Sequence, residues 1–234
     1  MILLILGLDF FVFFDRLNNK SGIKYKFMSY ELIKSKEELW REGLEKVSKY
    51  KDTLDQEMDP GIIETVVALH MLGLPTSGSC EGHLDRAMPN PWVDVEALDE
   101  PITYKNQELI RQQIIEKYEL TDAKIGKNEL AAKEYVDLIT RQGYTEEYKE
   151  WIKKNEPLRV RLSLLVEEFN SDRTDGEQIG LWIKDIFGIA GRVIAGSIED
   201  EQEENKLTRE KLFEARQQIM KEFTAFLKKK YFGS

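Results

Sequence analysis

The sequence predicts an α+β fold: a small, mainly antiparallel sheet with helices packed on one face and a helical insertion. Three observations carry that expectation. Short runs of strand-like alternation lie at Thr76–Cys80 and at residues 92–97, 159–169, 179–183 and 192–195, several of them joined by short turns, which favours antiparallel pairing. Stretches of helical period precede and follow these runs. Residues 103–156, between the second and third runs, read as helical throughout.

Composition bounds the possibilities. Hydrophobic residues make up 41% and charged residues 33% of 234, enough for a core beneath a heavily charged surface. The net charge of −9 argues against broad adhesion to nucleic acid or anionic membrane, although it leaves room for a local basic groove. A single cysteine excludes an internal disulfide and an all-cysteine zinc cage, and a reducing, cytoplasmic setting is expected.

Residues 2–14 are apolar but interrupted by Asp9, and they are shorter than the roughly 20 residues that span a bilayer. No basic residue precedes them and no small-residue cleavage site follows, so neither a membrane span nor a signal peptide is expected. Residues 1–27 are read as a peripheral N-terminal extension, with a strand over residues 2–8 as the competing reading; residues 28–234 form a single α+β domain.

Within that domain, Ser35-Lys36-Glu37-Glu38 is a capping box. Leu39, Trp40, Leu44 and Val47 then predict a helix over residues 36–51. A second helix is capped by Asp59, opened by Pro60 and closed at Gly73. Its apolar stripe (Ile62, Ile63, Val66, Val67, Leu69) carries His70, read as a core histidine bonded to a neighbour. Residues 76–80 form a strand that runs into a Glu81-Gly82-His83 turn. In the strand at 92–97, Val93, Val95 and Ala97 face one way, and Trp92, Asp94 and Glu96 the other.

The helical segment 103–156 is expected to hold three helices, the third starting at Thr145-Glu146-Glu147 and ending at Pro157. At residues 159–169, Val160, Leu162, Leu164 and Val166 alternate with Arg159, Arg161, Ser163 and Glu167, which predicts a strand. Two further strands follow, joined through Gly188 and Gly191. The acidic run Glu199 to Glu204 reads as a solvated linker. The chain then forms a long amphipathic helix over residues 207–231, packed through Leu212, Ile219, Phe223, Phe226 and Leu227.

The reactive side chains concentrate around Thr76-Ser77-Gly78-Ser79-Cys80-Glu81-Gly82-His83, near the only cysteine and both histidines. A glycine-containing turn after a strand aims successive N–H groups into one concavity, a nest for an anion, to which Ser79 adds a hydroxyl. Cys80 is a nucleophile if His83 or Arg86 lowers its pKa, with Glu81, Asp85, Asp94 or Glu96 orienting His83 or acting as base. The competing reading is an inert, buried thiol. Cys80 and His83 with Asp85, Asp94 and Glu96 make no common closed zinc set, so no metal is assigned. Asp94 and Glu96 are equally explained by cross-strand ion pairs with Arg159 or Arg161.

The motif running from Thr76 to His83 resembles the Thr-x-x-Ser-Cys-x-Gly motif of the tRNA wybutosine-synthesising methyltransferase family, and the preceding Asp59-Pro60-Gly61-Ile62 resembles what leads into it. Its Ser-Cys-Glu-Gly-His form, followed by Pro-Trp-Val-Asp, also looks like that of uncharacterised bacterial proteins, a likeness that implies no activity. The family resemblance implies an α+β fold, S-adenosylmethionine as cofactor and modification of a guanosine-derived base in tRNA. It also implies that Ser79, Cys80 and Gly82 line or support the cofactor pocket.

The expectation is therefore a ligand-binding domain or enzyme acting on a small molecule, a nucleotide or RNA, with no membrane partner. Cys80, His83, Asp94 and Glu96 are the candidate catalytic residues. Thr76, Ser79 and Gly82 are the candidate cofactor-binding residues, and Arg161 and Arg192 would hold phosphate. The alternatives are a thiol- or metal-dependent hydrolase using Cys80 and His83, and a non-catalytic interaction protein.

Overall fold

The structure is a computed structural model that describes residues 34–51, 55–85, 88–171, 173, 180–186, 188–196 and 206–233. The expectations for residues 1–27 and for the acidic run at 199–204 lie outside the described residues. The described helices are α1 (Lys36–Val47), α2 (Ile63–Met71), α3 (Gln107–Tyr118), α4 (Glu129–Gln142), α5 (Glu146–Ser171) and α6 (Lys206–Gly233). The strands are β1 (Thr76–Cys80), β2 (Trp92–Val95), β3 (Leu181–Lys184) and β4 (Gly191–Ala195).

The four strands form one antiparallel sheet in the order β1-β2-β4-β3, as the α+β reading expects. Two hairpins, β1–β2 and β3–β4, meet where β4 pairs with β2, and α3 to α5 lie between them in sequence. Val93, Val95, Val193 and Ala195 turn towards the helices and are at most 1% exposed. They join Val66 and Leu69 of α2, Leu162 and Val166 of α5, and Phe223 and Leu227 of α6 in one core. Phe223 packs against Phe169 with ring centroids 5.2 Å apart, so truncating it to alanine would cost about 3–5 kcal/mol. Trp92 lies opposite Cys80, and Asp94 lies opposite Gly78 and Arg192, on the sheet face turned away from that core.

Helix ends follow the sequence where backbone chemistry decides them. Gly73 takes φ +70° just past α2, a conformation that costs a side-chain-bearing residue about 1–2 kcal/mol. The Asn128 side chain accepts the Ala131 N–H at 3.0 Å and caps α4. A second, smaller core of Ile110, Ile114, Ile125, Ala131 and Ile139 unites α3, α4 and the intervening 3₁₀ turn Asp122–Lys127. From it a run of rings, Tyr104–Tyr144–Tyr148–Trp151, with centroids 5.2–5.5 Å apart, leads onto the first turns of α5. At its end the Trp151 indole N–H donates to the Ala97 carbonyl at 3.0 Å, fixing α5 to the exit of β2.

One expected strand is helix instead. Residues 159–169 continue α5, which does not stop at Pro157. The buried positions Tyr148, Trp151, Asn155, Leu162, Val166 and Phe169 recur every three, four or seven residues, a single helical stripe. The alternation that suggested a strand holds apolar residues that do not share a surface: Val160 and Leu164 are 61% and 60% exposed, whereas Leu162 is fully buried. Pro157 lies on the exposed side of the helix, where water can satisfy the carbonyl that loses its amide partner. Arg159 consequently pairs with Asp185 at 2.9 Å rather than with a carboxylate of β2.

Candidate functional site

A cleft of about 520 Å³ opens alongside β1. One wall is Thr76 to Cys80 with His83 and Trp92; the other is Tyr50, Lys51 and Gln56 to Asp59. The volume falls within the range of small-molecule sites.

Asp59 is the centre of its polar end. Read from the sequence as a helix cap, it makes no capping bond to the 3₁₀ turn Pro60–Ile62 that opens α2. Its Oδ2 instead lies 3.0 Å from His83 Nε2 and accepts the Glu81 N–H at 3.3 Å. Glu81 returns the contact: its Oε2 accepts the Gly61 N–H at 2.6 Å, so each segment supplies a carboxylate to the other's backbone. Burial works to raise the pKa of Asp59, but the bonds from His83 and the Glu81 amide, with the His83 charge, bring it below the usual aspartate value.

The turn that carries His83 is fixed by its backbone. Gly82 takes φ +84°, and a Cβ there would meet the Pro89 carbonyl oxygen at 2.5 Å, so the position admits only glycine without rearrangement. The His83 N–H donates to the Met88 carbonyl at 3.1 Å, closing the loop between β1 and β2. Buried Asn90 anchors the far end of that loop by donating to the Ala195 carbonyl at 2.9 Å.

Cys80, 8% exposed, ends β1 beneath this turn and receives the Gly82 N–H at 3.4 Å. Burial raises its thiol pKa; the Gly82 amide opposes this, while the carboxylates of Asp59 and Glu81 add to it. On balance these surroundings disfavour the thiolate. In a nucleophilic triad the imidazole stands between thiol and carboxylate. Here the carboxylate of Asp59 interacts with both the thiol and the imidazole, which does not suit a thiolate nucleophile.

The remaining expected residues lie elsewhere. Asp94 forms a two-pronged ion pair with Arg192, both contacts 2.7 Å, and the guanidinium carbon stands 3.8 Å from the Trp92 ring centroid. The side chains of this pair are only 14% and 21% exposed. Arg192 is thus committed to Asp94 and is not free for phosphate. Glu96 lies past the end of β2; burial raises its pKa, against a hydrogen bond from Ser77, and the charges of Glu100 and Asp94 raise it further. Neither carboxylate lines the cleft. His70 bonds Thr76 Oγ1 through Nε2 at 2.9 Å, the structural role expected of it. Thr76, Ser79 and Cys80 line the cleft, and Gly82 shapes its end.

Among the described residues Asp59, Cys80 and His83 form a group whose nitrogen, sulfur and oxygen atoms all lie within 4.8 Å of one another. Asp85, Asp94 and Glu96 do not join it. Asp59 was missed as a site residue because Asp-Pro at a helix start has an ordinary capping role, and 24 positions separate it from His83. Tyr50 and Lys51, on the opposite wall, carried no motif at all.

Compared with the models of known protein families, with curated proteins and with solved structures, the chain gives no match. Among the described residues no helix is long and apolar enough to cross a membrane.

Proposed function

We propose that the cleft along β1 binds a nucleotide or a nucleotide base, and that the protein is a nucleotide- or RNA-modifying enzyme whose reactive end is Asp59–His83. The observation that carries this reading is the placement of an indole and a carboxylate–imidazole pair in one cavity of about 520 Å³. Trp92 offers an aromatic surface to a planar base, and the Ser77-Gly78-Ser79 strand offers hydroxyl and backbone groups to its polar edges. Lys51, on the facing wall and paired with the exposed Asp55 at 2.9 Å, would be the cation to meet a phosphate. Methyl transfer from S-adenosylmethionine is the specific chemistry that the motif resemblance would bring to this cavity.

Calorimetric titration of the full chain with nucleoside monophosphates, short single-stranded RNA and S-adenosylmethionine tests the reading, with Trp92→Ala in parallel. Saturable binding that the variant weakens supports it. An absence of binding by every probe overturns it and leaves an interaction protein as the better account.

A second reading, a hydrolase, is favoured by the Asp59–Cys80–His83 cluster. Its thiol-dependent form is disfavoured by the raised pKa of Cys80. That leaves the metal-dependent form.

A further inference from the structure

We propose that Asp59, Cys80 and His83 are the three protein ligands of a divalent transition-metal site, best suited to zinc, with a fourth position open to the cleft. This deepens the reading of the cleft as the functional site and depends on it only for what occupies the fourth position.

The donor set makes the first argument. Magnesium and calcium take oxygen ligands, whereas a thiolate beside an imidazole selects zinc-like ions, and a single carboxylate completes a facial set of three. Three protein ligands plus an open position is the pattern of catalytic rather than structural zinc.

Geometry makes the second. Zinc bonds of about 2.0–2.3 Å in a tetrahedron place ligand atoms roughly 3.4–3.7 Å apart. The three donor atoms lie within 4.8 Å of one another, and the pair His83 Nε2 and Asp59 Oδ2 is 3.0 Å apart. Shifts of about an ångström or less, within the reach of side-chain rotation, would bring all three to bonding distance of one ion.

The surrounding bonds make the third. The Gly82 N–H already donates to Cys80 Sγ, as an amide does when it stabilises a metal-bound thiolate. The Glu81 N–H donates to the Asp59 carboxylate, and the Glu81 side chain ties the two ligand-bearing segments together through Gly61. Outer bonds of this kind orient ligands before an ion arrives. All three ligands also sit on the wall of the cleft, so an ion there faces whatever the cavity holds.

The rival account is a hydrogen-bonded knot in which the protons of Cys80 and His83 do what the ion would do. The full-length protein, stripped with a chelator and dialysed, separates the two when titrated with zinc and with cobalt(II). The expected result is one equivalent bound, with tetrahedral cobalt bands in the visible and a thiolate-to-cobalt charge-transfer band in the near ultraviolet. Cys80→Ser should abolish the charge-transfer band, and His83→Ala and Asp59→Ala should each weaken binding roughly tenfold or more. Circular dichroism of each variant confirms that the fold is retained. Failure of the folded wild-type chain to take up a stoichiometric ion overturns the proposal, as does uptake indifferent to Cys80→Ser and His83→Ala. Nucleotide binding without metal uptake would overturn the metal site alone. Metal uptake without nucleotide binding would overturn the nucleotide reading alone.

Discussion

Two aspartates, Asp59 and Asp94, are both mostly buried and both paired, yet their surroundings differ in kind. Asp94 meets one guanidinium with two parallel bonds of 2.7 Å, and the cation is covered in turn by Trp92. That arrangement fills both carboxylate oxygens with a partner that does not titrate below pH 12. Asp59 collects an imidazole, an amide and a neighbouring thiol, all from the one segment Cys80 to His83, and it borders an open cavity. Two of those three partners, the imidazole and the thiol, are side chains that can serve as metal ligands. A saturated ion pair holds β2 to β4; a mixed donor set leaves chemistry available.

The largest effect should come from breaking the loop that brings His83 to Asp59. Gly82→Ala forces a side chain into φ +84° and against the Pro89 carbonyl. It is expected to cost about 3 kcal/mol in denaturant unfolding and to abolish ligand binding at the cleft. A stable Gly82→Ala protein with intact binding would show that the turn does not shape the site.

Asp94→Ala follows. It strands the Arg192 charge in a largely covered position and is expected to lose about 2 kcal/mol of stability while leaving ligand affinity unchanged. Lost affinity in a stable Asp94→Ala protein would return this residue to the chemistry that its sequence position suggested. Asp59→Asn should reverse the pattern. Stability falls by only about 1 kcal/mol, since the amide oxygen still accepts from Glu81, but binding at the cleft is lost.

The smallest effect concerns His70, a half-buried histidine that braces Thr76. Burial first, and the charge of Lys46 second, lower its pKa. Because the unfolded chain binds its proton more readily, neutral His70 contributes stability fully above about pH 6.5, and this is lost as pH falls through the lower folded value. His70→Gln should flatten that acid-side slope in unfolding curves between pH 7 and 5. An unchanged slope would mean that His70 protonates as easily folded as unfolded.

The sequence made local rules legible and left long-range partners hidden. Gly73 and the β1–β2 turn declare themselves through backbone chemistry that operates within a few residues. Residues 159–169 misled because Val, Leu and Arg alternate there as they would in a strand, while the burial of Leu162, Val166 and Phe169 belongs to a helix begun at Glu146. At the site, Cys80 and His83 were visible from the motif, but the partner that unites them lies before α2, and the partner of Asp94 lies 98 residues further on. Side-chain pairing at such separations leaves no periodic trace in a single chain.

That separation of 98 residues has a kinetic meaning. The pairing of β2 with β4 closes a loop containing α3, α4 and α5, and closing a long loop is costly before its contacts form. The hairpin carrying Cys80 and Trp92 is therefore expected to complete its inner edge only after residues 191–195 are available to pair with it. Pulse-labelled hydrogen exchange during refolding should find amides of α3 and α4 protected before those of β2.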